Sequence, residues 1–245
     1  MKNSALCFLL LLVLTGVASA AEPSSGKKIN VLVLTGGHGF KAEAFFKIFN
    51  DNTEIVYTTA SHAVIPTQPA TAYDREDLFD YDVVVLYDSA INITDAQKAR
   101  FLALFEKGIG VVIMHHAYLS YPMWDEYARI AGGKYVYTEE QRKTGLASSG
   151  YTRAMVEIPL TTAGENHPVT AGLGDFVIRD EHYTNMHMVG EVTPLLKTGD
   201  QLLAWSRMEK KSRVVGTVLG HGPTAYEDPH FRKFLAQSIR WVAGR

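Results

Sequence analysis

Four short stretches of this chain are apolar at nearly every position: Ile29 to Leu34, Asp82 to Tyr87, Gly110 to Met114 and Arg213 to Leu219. Apolar residues at every position, rather than every second one, mark parallel strands covered on both faces. Between them the period changes to that of a helix. Ala44, Phe45, Ile48 and Phe49 share one face of a helix predicted over Lys41 to Asn50, and a short strand follows at Glu54 to Thr58. A loop through Pro66 and Pro69 comes next. Thr94 and Gln97 have capping-box spacing and start a helix that carries Phe101, Leu102, Leu104 and Phe105 and stops at Gly108. A further helix around Met123 to Ala131 is closed by Gly132-Gly133, and Pro229 suits the first turn of a terminal helix to Val242. This alternation predicts an α/β fold, a doubly wound, mainly parallel sheet with flavodoxin-like strand order. The region from Tyr135 to Leu203 breaks it. Strand candidates at Thr152 to Ile158, Phe176 to Arg179 and Pro194 to Lys197, with a His167-Pro168 turn, read as a β-rich excursion that folds back over the sheet edge.

The N-terminus carries an address. Met1-Lys2 is a basic start, Ala5 to Val17 is almost wholly apolar, and Ala18-Ser19-Ala20 is an A-x-A cleavage pattern. Residues 1–20 are expected to be a secretory signal peptide, 21–28 a flexible leader, and 29–245 a single α/β domain. The protein is expected to be exported, periplasmic or secreted, with no stable membrane span. The one cysteine, Cys7, lies in the segment to be removed. Disulfides, thiolate metal ligands and cysteine nucleophiles are thereby excluded from the mature chain. A net charge of −2 leaves no basic footprint for nucleic acid.

Three of the apolar strands run into a histidine: the first through Gly36-Gly37 to His38, the third to His115-His116, the last through Gly220 to His221. Ligand crevices in open α/β sheets lie beyond the carboxyl ends of the strands, so groups remote in sequence converge there. Imidazole titrates near neutrality and binds metals. Neighbours on extended backbone point oppositely, so one of His115 and His116 faces the pocket while the other supports it; position favours His116. Backbone N–H groups around Gly37 could meet an anion or hydroxyl. Asp180-Glu181-His182-Tyr183 follows the strand Phe176-Val177-Ile178 and offers a carboxylate as base or as orienter of an imidazole. Tyr118 and Trp205 are candidates to face a sugar ring. His62, His167 and His230 are read as structural or exposed.

Together, Gly36-Gly37-His38, His115-His116-Ala117, Gly132-Gly133, Asp180-Glu181-x-Tyr183 and Val215-Gly216-Thr217-x-x-Gly220-His221-Gly222 resemble the ThuA-like (trehalose utilisation) family across nearly the whole mature chain. The resemblance implies a fold related to class I glutamine amidotransferases, in which the strand ending here at His115-His116 would deliver a cysteine. No cysteine stands there, so thioester amidotransferase chemistry is excluded. It also implies carbohydrate utilisation, particularly of disaccharides and their 3-keto derivatives. Where relatives carry a histidine soon after the Gly-Gly turn, this chain has Lys134-Tyr135-Val136-Tyr137-Thr138, and His182 replaces an apolar residue.

The function expected is therefore a carbohydrate-processing enzyme, a lyase, hydratase, isomerase or hydrolase on keto-sugars, taking a small-molecule sugar as partner. His116, Glu181 and His221 are its acid–base groups, with Gly37, His38, His115, Tyr118, Tyr183 and Trp205 around the substrate. A divalent metal, zinc or manganese, is compatible with histidine and carboxylate ligands. The alternative is a non-catalytic carbohydrate-binding or accessory protein on an amidotransferase-like scaffold.

Overall fold

The computed structural model describes residues 26–62, 70–163 and 166–245. The expected signal peptide, most of the leader and the loop holding Pro66 and Pro69 lie outside the described residues. One sheet organises the rest. Its strands are β1 (Ile29–Gly36), β2 (Ile55–Ser61), β3 (Val83–Asp88), β4 (Gly110–Met114), β5 (Val156–Thr162), β6 (Phe176–Asp180), β7 (Thr193–Thr198), β8 (Gln201–Glu209) and β9 (Ser212–Thr217). They lie in the order β2-β1-β3-β4-β9-β8-β7-β5-β6. The principal helices are α1 (Ala42–Asn50), α2 (Asp95–Lys107), α3 (Asp125–Ala131) and α4 (Pro229–Val242). No helix among the described residues is long and apolar enough to cross a membrane.

The half β2-β1-β3-β4-β9 is parallel throughout and has flavodoxin order, with β9 as the fifth strand. Every residue of β3 and β4 is buried, which requires cover on both faces of the sheet. The Thr94–Gln97 capping box starts α2, and Gly108 ends it in the left-handed conformation at φ 80°. The other half, β8-β7-β5-β6, is antiparallel. The excursion therefore does not fold back over the edge; it lengthens the sheet beyond β9. Its entry is the β8–β9 hairpin, in which Trp205 pairs with Gly216 and Glu209 with Ser212. The sequence pattern missed β8 because Ser206 and Glu209 read as polar. Both are buried. Ser206 meets the His167 ring at 3.2 Å, and Glu209 takes a two-pronged ion pair from Arg129 at 2.8 Å.

The parallel strands end level with one another: Gly36 is opposite Asp88, and Met114 is opposite Thr217. The loops after them consequently meet. Beneath one side of that meeting point lies a wholly buried carboxylate. Asp88 accepts the Ser120 hydroxyl at 3.2 Å, and the His62 Nε2 stands 3.5 Å away. Since His62 Nδ1 accepts the Ala72 amide, Nε2 carries the proton of the neutral ring. Burial pushes the Asp88 carboxyl up to about 7, against the smaller effect of the Ser120 hydroxyl, and pushes His62 down to about 4.

The sign of the Asp88 contribution follows. Its folded-state pKa lies above the ordinary value of 3.8, so between these limits the unfolded chain ionises first and unfolding gains. Stability contributed by the neutral carboxyl is complete below about pH 4 and is lost as pH rises toward 7. Asp88→Asn is therefore expected to gain on the natural protein by ~1 kcal/mol per pH unit across that window. Urea unfolding of both proteins at pH 4.5, 5.5 and 6.5 checks this; a stability difference that stays constant with pH refutes it.

Candidate active site

Each histidine is delivered by a specific backbone device. Gly36 and Gly37 continue β1 at φ 112° and 76°, and a Cβ on Gly37 would lie 2.0 Å from the Ser89 carbonyl oxygen. A side chain is impossible there, so glycine allows the loop after β1 to sit on the loop after β3. His38 follows, exposed at the mouth. After β4 the chain enters a 3-10 turn, His115–Leu119, with His115 at φ 46°. That left-handed step cancels the alternation expected of extended backbone, and both rings enter one pocket with centroids 5.6 Å apart.

The expected division of labour between the pair is reversed. His115 is the residue that joins the polar cluster: its Nε2 lies 3.1 Å from Glu181 Oε2 and 3.0 Å from His221 Nδ1, and the last two atoms are 3.3 Å apart. Its Nδ1–H donates to the Val218 carbonyl at 2.7 Å, which turns Nε2 toward the cluster. His116 lies behind, 1% exposed, with its ring between Tyr87 (4.2 Å) and His38 (4.5 Å). Neither of its ring nitrogens has a hydrogen-bond partner among the described residues.

This arrangement divides the charge. Burial alone would raise the Glu181 carboxyl, but hydrogen bonds from His115 and His221 outweigh it and hold the group at about 2. The bond to Glu181 raises His221 above the ordinary imidazole value, against the effect of burial. Burial lowers His116 well below that value, reinforced by the neighbouring rings of His115, His38 and His221, while the Asp88 backbone opposes weakly. His38, open to solvent on one side, is lowered by partial desolvation of its ring among its neighbours and by His221. The site thus pairs a carboxylate and an imidazole whose proton it holds more firmly than usual with two imidazoles that give theirs up more readily.

Asp180, expected only as part of an acidic pair beside Glu181, fixes the geometry. Wholly buried at the end of β6, its carboxylate accepts the backbone amides of Gly220, His221 and Glu181 at 2.5, 3.0 and 2.9 Å. The carbonyls of the same loop are held from the other side. Tyr87 donates to the Gly220 carbonyl at 2.9 Å, Tyr226 donates to that of His221 at 2.8 Å, and the two hydroxyls touch. Tyr183 covers the His115 ring at 4.3 Å and Tyr135 packs on Tyr183 at 4.8 Å. Tyr135 occupies the stretch where a histidine was expected from the resemblance. Burial and the Glu181 charge push its hydroxyl up to about 12. His182 turns away and donates to the Gln201 side-chain oxygen at 3.1 Å.

Two expected ligand contacts are corrected. Trp205 is wholly buried and donates its indole N–H to the Ala131 carbonyl at 2.8 Å, with Tyr118 packed on it at 5.3 Å. A Cβ on Gly216 would lie 2.1 Å from the Tyr118 hydroxyl, and one on Gly132 would lie 2.7 Å from the Trp205 indole nitrogen. These glycines make room for core aromatics, so neither ring offers a face to a sugar.

The family model for ThuA, trehalose utilisation, matches residues 30–242. The chain belongs to the ThuA family. A ThuA-like protein from Parabacteroides merdae is similar over 89% of this chain and 90% of its own, at 20% identity and a TM-score of 0.73. One from Bacteroides uniformis is similar over 91% and 94%, at 20% identity and a TM-score of 0.65. PurLQS from Thermotoga maritima shares the fold more distantly, at 10% identity over 88% of this chain and 100% of its own, with a TM-score of 0.53. No curated protein matches the chain. The family links this ThuA chain to carbohydrate utilisation, and the fold is of the flavodoxin and class I amidotransferase type.

Because His221 owes its raised pKa first to Glu181, Glu181→Gln leaves burial to dominate. NMR titration of the imidazole resonances is expected to show His221 titrating at lower pH than in the natural protein. An unchanged value would mean that the carboxylate does not hold the proton on His221.

Proposed function

We propose that this chain is an exported carbohydrate-processing enzyme acting on disaccharides or 3-keto-glycosides by acid–base chemistry at His38, His115, Glu181 and His221. The observation that carries the reading is the convergence of the exposed His38 ring, 5.9 Å from that of His221, on an imidazole whose Nδ1 stands 3.3 Å from the Glu181 carboxylate. A ketone at C3 of a sugar acidifies the C2 hydrogen. A neutral His38 imidazole removes that proton, the electron pair forms the C1–C2 double bond, and the C1–O bond breaks. His221, kept protonated by Glu181, gives its proton to the departing oxygen. General acid and base contributions of this kind are each worth about 10²–10⁴-fold. Glu181, held at about 2, is too weak a base for the abstraction and serves to orient and charge His221. His116, expected as the base, lies behind His38 and supports it.

A second reading rests on a separate observation. His115 Nε2, His221 Nδ1 and Glu181 Oε2 form a triangle with edges of 3.0, 3.1 and 3.3 Å, near the ~3.3 Å ligand separations of a tetrahedral zinc with bonds of about 2.0–2.1 Å. The His115 Nδ1–H bond to a carbonyl is the outer support that metal-ligating histidines use. The donor set therefore fits a divalent cation, which when bound would polarise the C3 carbonyl. The binding-only alternative is weakened, since the aromatic residues it relied on, Tyr118 and Trp205, are core.

Incubating purified protein with 3-keto-trehalose, with and without zinc or manganese, tests the reading. Turnover is expected, reduced at least ~10²-fold in His221→Ala and His38→Ala, with sugar affinity changed far less. Absence of turnover under every metal condition would sink it.

A further inference from the structure

Beside His221 the site opens into a cleft of about 550 Å³, lined by Gly39, Phe40, Lys41, Met155, Gly222, Pro223 and Thr224. It lies outside the imidazole cluster, and its walls have three features. The first is the pair of glycines that flank the reactive rings in sequence, Gly39 after His38 and Gly222 after His221. Neither has a positive φ, and a Cβ built on either would have no protein atom within 4 Å. Neither backbone conformation nor protein packing calls for glycine at these positions. What an added side chain would occupy is the space of the cleft itself.

The second feature is rigidity. Phe40 is held by edge-on contacts to Phe45 at 5.2 Å, Phe46 at 6.0 Å and Tyr87 at 5.5 Å, so it presents a fixed apolar wall. The third is a shortage of hydrogen-bonding side chains: besides His221, only Lys41 and Thr224 among the lining residues carry polar side-chain atoms. A second sugar ring would bring several hydroxyls against Phe40, Met155 and Pro223, where no side chain pairs with them and desolvation is costly. A planar apolar group loses nothing there.

From these features we infer that the cleft takes an aromatic aglycone, so that the preferred substrate class is aryl glycosides rather than disaccharides. This rests on the carbohydrate reading above and narrows it. The sugar faces His38 and His221, and the aryl ring lies along Gly39, Gly222, Phe40 and Met155. Methionine and aromatic side chains suit an aromatic ring.

The test is calorimetric titration of the full chain with phenyl β-glucoside, methyl β-glucoside and trehalose, for the natural protein and for Gly222→Val and Gly39→Val. The phenyl glycoside is expected to bind at least about 10-fold more tightly than the methyl glycoside, as burial of a ring requires. Each valine should bring that ratio close to one without lowering the thermal unfolding temperature, since no protein atom lies within 4 Å of either Cβ position. Equal binding of the two glycosides, no binding of either, tighter binding of trehalose, or an unchanged ratio in stable variants would overturn the inference. Turnover of 3-keto-trehalose alongside any of these results leaves the carbohydrate reading standing and removes only the aryl preference. A phenyl preference abolished by both valines, without keto-sugar turnover, retains the cleft assignment and removes the reaction.

Discussion

The buried carboxylate of Asp180 is the constraint on which the site depends. Its two oxygens collect three backbone amides, from Glu181 beside it and from Gly220 and His221 forty residues away. That joins the end of β6, at the far antiparallel edge of the sheet, to the loop after β9, in the parallel half. Burial raises the Asp180 pKa, and the neighbouring His115 ring and the three amides act against it. Loss of the carboxylate would leave three amide hydrogens without acceptors, at about 1–3 kcal/mol each. Tyr87 and Tyr226 complete the clamp on the carbonyl side. The loop that carries His221 is thereby fixed at both hydrogen-bonding edges.

With the loop fixed, the chemistry of the four imidazoles follows from what each one touches. His115 is committed at Nδ1 to Val218 and at Nε2 to the cluster. His221 shares the Glu181 carboxylate, which raises its pKa. His116 is buried between aromatic rings and stays neutral, and His38 covers it at the mouth. One carboxylate among four rings is enough to separate them into proton-holding and proton-accepting groups, a distinction that opposed environments impose on like residues in acid–base sites. At the strand end where the fold's amidotransferase relatives would carry a cysteine, this chain places the paired imidazoles of His115 and His116.

Much of the parallel half was legible in the sequence, because strands buried on both faces and helices with capping signals depend on local pattern. β1, β3, β4, α2 and α4 lie close to where periodicity put them. The antiparallel half was less legible. Ser206 and Glu209 are polar residues made acceptable inside β8 by His167 and Arg129, partners 39 and 80 residues distant. The convergence of His38, His115, His116 and His221 could be anticipated from strand ends alone. Which of the adjacent pair meets Glu181 could not, because a positive φ at a histidine has no sequence signature. The roles of Asp180, Tyr87, Tyr135 and Tyr226 were hidden for a related reason: each acts through residues brought near only by the sheet. The glycines show the opposite error. Gly216 and Gly132 looked like parts of a site motif, but serve Tyr118 and Trp205 in the core.

The central claim is that His38, His115, His116 and His221 form one ligand-responsive centre organised around Glu181. Long-range proton–nitrogen NMR spectra of the imidazoles, recorded with and without 3-keto-trehalose, test it most directly. The account predicts that all four rings shift together on saturation while His62, His167 and His230 stay in place. Shifts absent from the four rings, or confined to the remote histidines, would contradict it.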